Sequence, residues 1–125
     1  MYGRRSSVMQ SMPSDRARKA LLDIADHIVL ARKWSANLSL QDFTDNRVVF
    51  YAVTRCLEII SEASRRLPVE VRQRHPHIAW RDIGGAGNIY RHDYDGVQER
   101  IVLETVRRAL PELESVVTRE LDNDK

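Results

Sequence analysis

The amino-acid sequence predicts an all-α fold, a small bundle of about four to five helices. Apolar residues recur at three- and four-residue spacing in three stretches, within residues 17–28, 49–67 and 97–121. This spacing is typical of amphipathic helices that bury one face. No stretch of the chain keeps the two-residue alternation of a half-buried strand.

The length of the chain, 125 residues, suits one domain with one core. We expect a flexible N-terminal tail over residues 1–13, a helical domain over 14–121 and a C-terminal tail over 122–125. No apolar run reaches the roughly 18 residues of a membrane span, and the N-terminus lacks the apolar segment of a secretory signal. These features predict a cytoplasmic protein.

The first helix is predicted to begin at an N-cap residue, Ser14 or Asp15, and to end near Trp34. Its expected core-facing residues are Ala17, Leu21, Ile24, Ala25 and Ile28. A connector with a short turn of helix is expected over residues 38–43.

The second long helix has the cleanest periodicity, with Thr44 or Asp45 as its expected cap and a stop at Pro68. Glu62 lies beside its apolar stripe and is either an exposed group or a buried acid with a partner. Cys56, the single cysteine, is predicted to be a small buried hydrophobe. The stripe consists of Val49, Ala52, Val53, Cys56, Ile59, Ile60, Ala63 and Leu67.

A short helix is expected between Pro68 and Pro76, before the last long helix. Pro111 falls inside the pattern of that last helix and should kink it or begin a new segment. Because the second and last helices both carry wide apolar stripes, a homodimer that packs helix against helix is predicted.

Residues 78–94 combine residue types that an ordinary structural helix does not need. Three of the five glycines, Gly84, Gly85 and Gly87, lie here, followed by an Arg-His-Asp-Tyr run. Glycine is unfavourable inside helices, so this density indicates either a turn or a close approach of backbone, partner or ligand.

Positive charge is concentrated in the same region, although the net charge of the chain is only +2. Six arginines and only two acidic residues lie between Arg65 and His92. Such a segment forms either a basic surface for phosphate groups or a solvated helix face.

His92 is a candidate general acid and base, because its ordinary pKa lies near neutrality. Asn88 precedes it by four residues, on the same face of a helix, and Arg91 offers a cation for phosphate. These groups suit cleavage of RNA without a metal ion, whereas the alternative for His92 is a cap at a helix C-terminus. No metal-ligand spacing or cofactor fingerprint is present, so no metal or cofactor is expected.

The segments 57–64 and 78–83, followed by Gly85, Asn88 and the run from His92 to Tyr94, resemble the HepT-like branch of the HEPN superfamily. Members of this branch are toxins paired with minimal nucleotidyltransferase antitoxins in bacterial two-gene modules. The resemblance covers residues 15–121. It implies a helical bundle that dimerises and carries a ribonuclease site, acting on RNA, in the dimer cleft.

The resemblance assigns catalytic positions to His92 and Asn88. The family's motif also has an arginine directly before the asparagine, and Gly87 occupies that position here. Two interpretations follow. Arg91 supplies the cation from a shifted position, or the nuclease is degenerate and the chain acts as a binding partner or AMP acceptor of the nucleotidyltransferase.

Two further roles come from the resemblance. Tyr94 matches the family's tyrosine that the antitoxin modifies with AMP. Glu62 is expected to pair with Arg91 or Arg81 and so to support the cleft.

Overall fold

The computed structural model describes the backbone of residues 2–85 and 97–123, and the side chains of residues 15–84 and 98–123. These parts of the chain contain helices and turns and no strand, which confirms the all-α prediction. The helices are α1 (Tyr2–Ser35), α2 (Leu40–Asp45), α3 (Arg47–Arg66), α4 (Val69–Gln73), α5 (Trp80–Gly85), α6 (Val97–Glu104) and α7 (Leu110–Asn123). A π-helical turn, Thr105–Ala109, joins α6 to α7.

The core lies where α1 and α3 pack side by side, with α7 against α1 and α5 against α3. The predicted stripes face this core. Its fully buried large side chains include Ile24, Ile28, Phe43, Val53, Ile60, Val102, Leu110, Leu113 and Val117. Cys56 is buried as predicted, and burial raises the pKa of its thiol.

Helix α1 begins at Tyr2, so Ser14 and Asp15 lie inside it and are not its N-cap. Pro13 lacks a backbone N–H and interrupts the hydrogen-bond ladder, but the helix continues on both sides of it. The boundary between tail and domain near residue 13 stays a prediction. The helix ends at Ser35, close to the predicted end, and Asn37 then adopts a left-handed conformation with φ 63°, which asparagine tolerates better than most residues.

Asn46 caps α3, where Thr44 or Asp45 was expected. Its side-chain oxygen accepts a hydrogen bond from the backbone N–H of Val49 at 3.1 Å. Thr44 and Asp45 instead belong to α2. The short helix α2 fills the predicted connector, and its extension to Asp45 explains the shift of the cap by one or two residues.

Pro111 lies in the first turn of α7, and α6, the π-helical turn and α7 follow one another without a break. The pattern of the last helix therefore changes helix type before this proline. The preceding turn is widened, with the N–H of Leu110 donating to the carbonyl oxygen of Thr105. Because proline cannot donate a backbone hydrogen bond and its ring crowds the preceding turn, we attribute the π-helical turn to Pro111.

Within residues 2–85 and 97–123, none of the helices combines the length and the apolar character needed to cross a membrane.

Candidate functional site

The C-terminal end of α5 is tied to the C-terminal part of α3 through one carbonyl group. The oxygen of Gly84 accepts a hydrogen bond from Ser61 Oγ at 2.9 Å and another from an Nη atom of Arg65. That guanidinium also donates to Ser61 Oγ at 3.2 Å. Gly84 precedes the segment of residues 86–96, so these bonds fix the backbone just before that segment.

The start of α5 is fixed by Trp80. Its indole Nε1 donates to the carbonyl oxygens of Arg72 at 3.1 Å and His75 at 2.9 Å. Ile78 and Ile83 are buried on either side of it in sequence. The indole ring therefore has a defined orientation between α4 and α5.

A cluster of charged and titratable groups, of which His75 and Glu120 are buried, joins the α4–α5 connection to α7. Glu120 accepts hydrogen bonds from Arg74 at 2.6 and 3.1 Å and from His75 Nε2 at 2.6 Å. Hydrogen bonding to Arg74 is the main reason that the pKa of Glu120 is lowered, and the bond to His75 acts in the same direction, while burial opposes both. We interpret this cluster as structural, because it holds the connection that carries Trp80.

A pocket of about 550 Å³ lies between α3, α4 and α5. Three arginines, Arg65, Arg72 and Arg81, line it together with Val69, Gln73, Trp80 and Gly84. No acidic side chain is among the described residues that line it. Three cations beside an aromatic ring favour an anionic ligand that also has a flat apolar part.

The arginine-rich region divides into two groups. Arg66 pairs with Asp23 at 3.1 Å and Arg74 pairs with Glu120. Among the ion pairs within the described side chains, none involves Arg65, Arg72 or Arg81. Of the two interpretations that the sequence left open, a basic surface fits these three arginines, and a structural role fits Arg66 and Arg74.

Most of the site residues predicted from the sequence lie outside the described residues. These are Asn88, Arg91, His92 and Tyr94, together with Gly87. Their proposed roles therefore stay predictions, although α5 and its anchor to α3 define where the segment containing them begins.

Glu62 and Arg81 lie within the described part of the chain. Glu62 is exposed on α3 and Arg81 is exposed on α5. The ion pairs between described side chains do not include one between these two residues. Arg91 lies outside the described residues, so a pair between Glu62 and Arg91 stays a prediction. The supporting role of Glu62 stays a prediction for the same reason.

The structure shows which side chains lie near Gly84, where the density of glycines indicated either a turn or a close approach. A Cβ atom added there would lie 3.4 Å from Cγ of Arg65 and 4.0 Å from Oγ of Ser64. These are contact distances without severe overlap, so space does not demand glycine at this position. The functional feature of Gly84 is its carbonyl group.

Sequence reasoning did not single out Ser61, Arg65 or Arg72 as individual site residues. The available signal was weak. Ser61 has a hydroxyl group and lies in the segment that carries the family resemblance, and the two arginines belong to the cluster of positive charge. Their convergence on α5 depends on helix packing, which residue spacing alone does not give.

The side chains that the structure describes contain no group of three or more His, Cys, Asp or Glu residues placed to hold a metal ion.

Comparisons with known proteins identify relatives along most of the chain. Residues 21–120 match the family model described as ribonuclease HepT-like. A Methanocaldococcus jannaschii protein named as a candidate RNase is 32% identical over 102 residues, covering 82% of this chain and 84% of the relative. A Caldanaerobacter subterraneus subsp. tengcongensis protein, also named as a candidate RNase, is 40% identical over 88 residues, covering 70% of this chain and 79% of the relative.

A Thermococcus cleftensis protein named a probable ribonuclease HepT is 36% identical over 93 residues, covering 74% of this chain and 84% of the relative. No solved structure matches the chain.

Proposed function

Because the chain belongs to the HepT-like ribonuclease family, we propose that it is a metal-independent endoribonuclease and the toxin of a two-gene module. A minimal nucleotidyltransferase is its proposed antitoxin. The observation that carries this proposal is the family match, which spans His92 and the helices that surround the arginine-lined pocket.

In the proposed reaction, His92 removes the proton from a ribose 2′-hydroxyl group of the RNA. The 2′-oxygen forms a bond to the adjacent phosphorus, and the bond from phosphorus to the 5′-oxygen of the next nucleotide breaks. That leaving oxygen takes up a proton, and the products are a 2′,3′-cyclic phosphate and a 5′-hydroxyl end. Arg91 would stabilise the negative charge that develops on the phosphoryl oxygens, and Asn88 would orient substrate or imidazole.

We further propose that the active form is a homodimer. Val48 and Tyr51, with relative exposures of 79% and 64%, are the most exposed large hydrophobic side chains in the described part of the chain. They lie three residues apart on α3 and so share one helix face. An exposed apolar face of this kind supports association with a second copy.

The second candidate function is a non-catalytic module that the nucleotidyltransferase binds or modifies. The observation that favours it is Gly87, which stands where the family's motif has arginine. In either case Tyr94 is the proposed acceptor of AMP. Its phenolic oxygen would bond to the α-phosphorus of ATP, with pyrophosphate leaving, and the added phosphate charge would oppose RNA binding.

An experiment in cells lacking the partner gene separates these two functions. Wild type, His92→Ala and Gly87→Arg are induced separately, and growth and total RNA integrity are followed. Growth arrest by wild type that is abolished in His92→Ala supports the ribonuclease. Arrest by Gly87→Arg alone would show that the family's site is disarmed in this chain.

Modification is tested by co-expression with the neighbouring nucleotidyltransferase gene. We expect the intact protein to gain the mass of one adenylyl group and Tyr94→Phe to gain none. An adenylyl group on the Tyr94→Phe protein would refute Tyr94 as the acceptor.

A further inference from the structure

We infer that the pocket between α3, α4 and α5 is a nucleotide subsite that holds one base and one phosphate of single-stranded RNA beside the cleavage site. This inference rests on the proposed ribonuclease function and adds to it the form of the substrate and the residues that hold it. The residues concerned are Arg65, Arg72, Arg81, Trp80 and Val69.

The charges of the pocket fit a phosphate group. Its three guanidinium groups come from three different helices and converge without an acidic side chain among the described lining residues. Guanidinium N–H groups bind phosphate oxygens by charge-assisted hydrogen bonds, and their fork geometry suits a phosphate group.

The rest of the pocket fits a base. Trp80 is half-buried, and its two hydrogen bonds to backbone carbonyls fix the ring. Val69 is 50% exposed and adds apolar surface to the pocket lining. Stacking of a base on an aromatic ring requires an unpaired base and tolerates any sequence. The pocket therefore favours single-stranded RNA over a duplex.

A second arginine-lined pocket, of about 290 Å³, contains Arg100, Arg107 and Arg108. It is a weaker candidate for two reasons. Glu104 lines it, and no aromatic residue lines it among the described residues.

The location of the first pocket connects it to the reaction. Gly84 lines the pocket and lies four residues before Asn88, the first of the proposed catalytic residues. Arg65 both lines the pocket and holds the carbonyl oxygen of Gly84. A nucleotide in the pocket would thus lie next to the start of the catalytic segment.

The test uses the full chain with the substitution Trp34→Phe. Of the two tryptophans in the sequence, Trp80 then remains as the fluorescent probe. The probe is a single-stranded RNA of about eight nucleotides with 2′-O-methyl groups, which binds but lacks the attacking hydroxyl. We expect saturable quenching of Trp80 fluorescence. Arg72→Gln and Arg81→Gln should each weaken binding roughly tenfold and reduce the slope of log affinity against log salt by about one.

Arg119→Gln is the matched control, since Arg119 is exposed on α7 and lines none of the described pockets. It should leave affinity nearly unchanged while removing the same charge. Thermal unfolding of each variant checks that the fold is intact. Because Arg81 is exposed, the variant Arg81→Gln still tests the pocket if Arg72→Gln does not fold.

Each outcome bears on a different claim. If unmodified RNA is cleaved but the pocket variants bind the methylated probe like wild type, the subsite is refuted and the ribonuclease stands. If the probe binds in the pocket but unmodified RNA is not cleaved, the subsite stands and the ribonuclease fails. If the pocket variants lose binding of the nucleotidyltransferase and not of RNA, the pocket is a protein-docking surface and the inference is wrong.

Discussion

The hydroxyl group of Ser61 has a specific role in joining two helices. Ser61 is almost fully buried, and its Oγ donates to the carbonyl oxygen of Gly84, 23 residues away in sequence. Without this bond, the hydrogen bond from Arg65 to the same carbonyl oxygen and the burial of Ile83 would still hold the end of α5. The serine therefore contributes to the placement of the segment proposed to carry the active site.

We predict that Ser61→Ala lowers the free energy of unfolding by about 1 kcal/mol, because one buried hydrogen bond is lost. It should also lower the rate of RNA cleavage by more than the loss of folded protein explains. Thr54→Val is the matched control on the same helix. Thr54 Oγ1 is buried and has no hydrogen-bond partner in the described structure, so its replacement should be neutral or stabilising. Chemical denaturation measures both, and equal costs would contradict the role of Ser61.

Glu120 gives the fold a predicted dependence on pH. Its pKa is lower in the folded state, chiefly because of the hydrogen bond to Arg74. A carboxyl group with a lowered folded-state pKa stabilises the fold above its unfolded-state pKa, and this contribution is lost as the pH falls through the folded-state value. The side chain of Arg74 is 54% exposed, so solvent weakens the ion pair.

Glu120→Gln should therefore lower the free energy of unfolding at neutral pH by about 2 kcal/mol. The difference from wild type should shrink as the pH falls below the ordinary carboxyl pKa of 4.5. Urea denaturation of both proteins at several pH values measures this. A difference that stays constant across the acid range would show that the ionised carboxylate is not what stabilises the fold.

These residue-level contacts were only partly predictable. The positive charge around Arg65 and Arg72 was visible in the sequence, but its division between a pocket and ion pairs was not. Arg74 differs from Arg72 because α7 places Glu120 beside it, 46 residues later. No local pattern encodes a partner at that distance.

At the scale of helices, the periodicity of apolar residues is sufficient to predict which helix faces are buried. The stripes of α1, α3 and α7 were predicted from three- and four-residue spacing, and their central residues are buried. Helix ends were less predictable. Asn46, Thr44 and Asp45 are all good caps by residue type, and the existence of α2 decides among them.

Helix α3 carries the proposed dimer face, which a single charge should disrupt. We predict that Val48→Asp converts the protein from dimer to monomer, because Val48 is 79% exposed and a buried carboxylate at the interface would lack a partner. Val29→Asp on α1, at a residue 54% exposed, is the control and should leave the dimer intact. Light scattering after gel filtration measures both masses. Dissociation by the α1 variant alone would place the interface on α1.

For the whole molecule, the family match spans residues 21–120, and the described parts of that span form a bundle of helices. The resemblance seen in the motif residues had already indicated this family. The placement of the proposed catalytic groups could not be derived from the sequence, because the proposed cleft between two copies depends on how the two copies associate. Positions 87–94, where the motif departs from the family at Gly87, lie outside the described residues.

The most direct test of the central claim is the rate of RNA cleavage by purified wild type and His92→Ala in the presence of a metal chelator. We predict that wild type cleaves RNA and leaves 2′,3′-cyclic phosphate ends, and that His92→Ala is slower by about 100-fold or more, as loss of general acid–base catalysis requires. Equal cleavage by the two proteins, or no cleavage by wild type, would contradict the proposed ribonuclease mechanism.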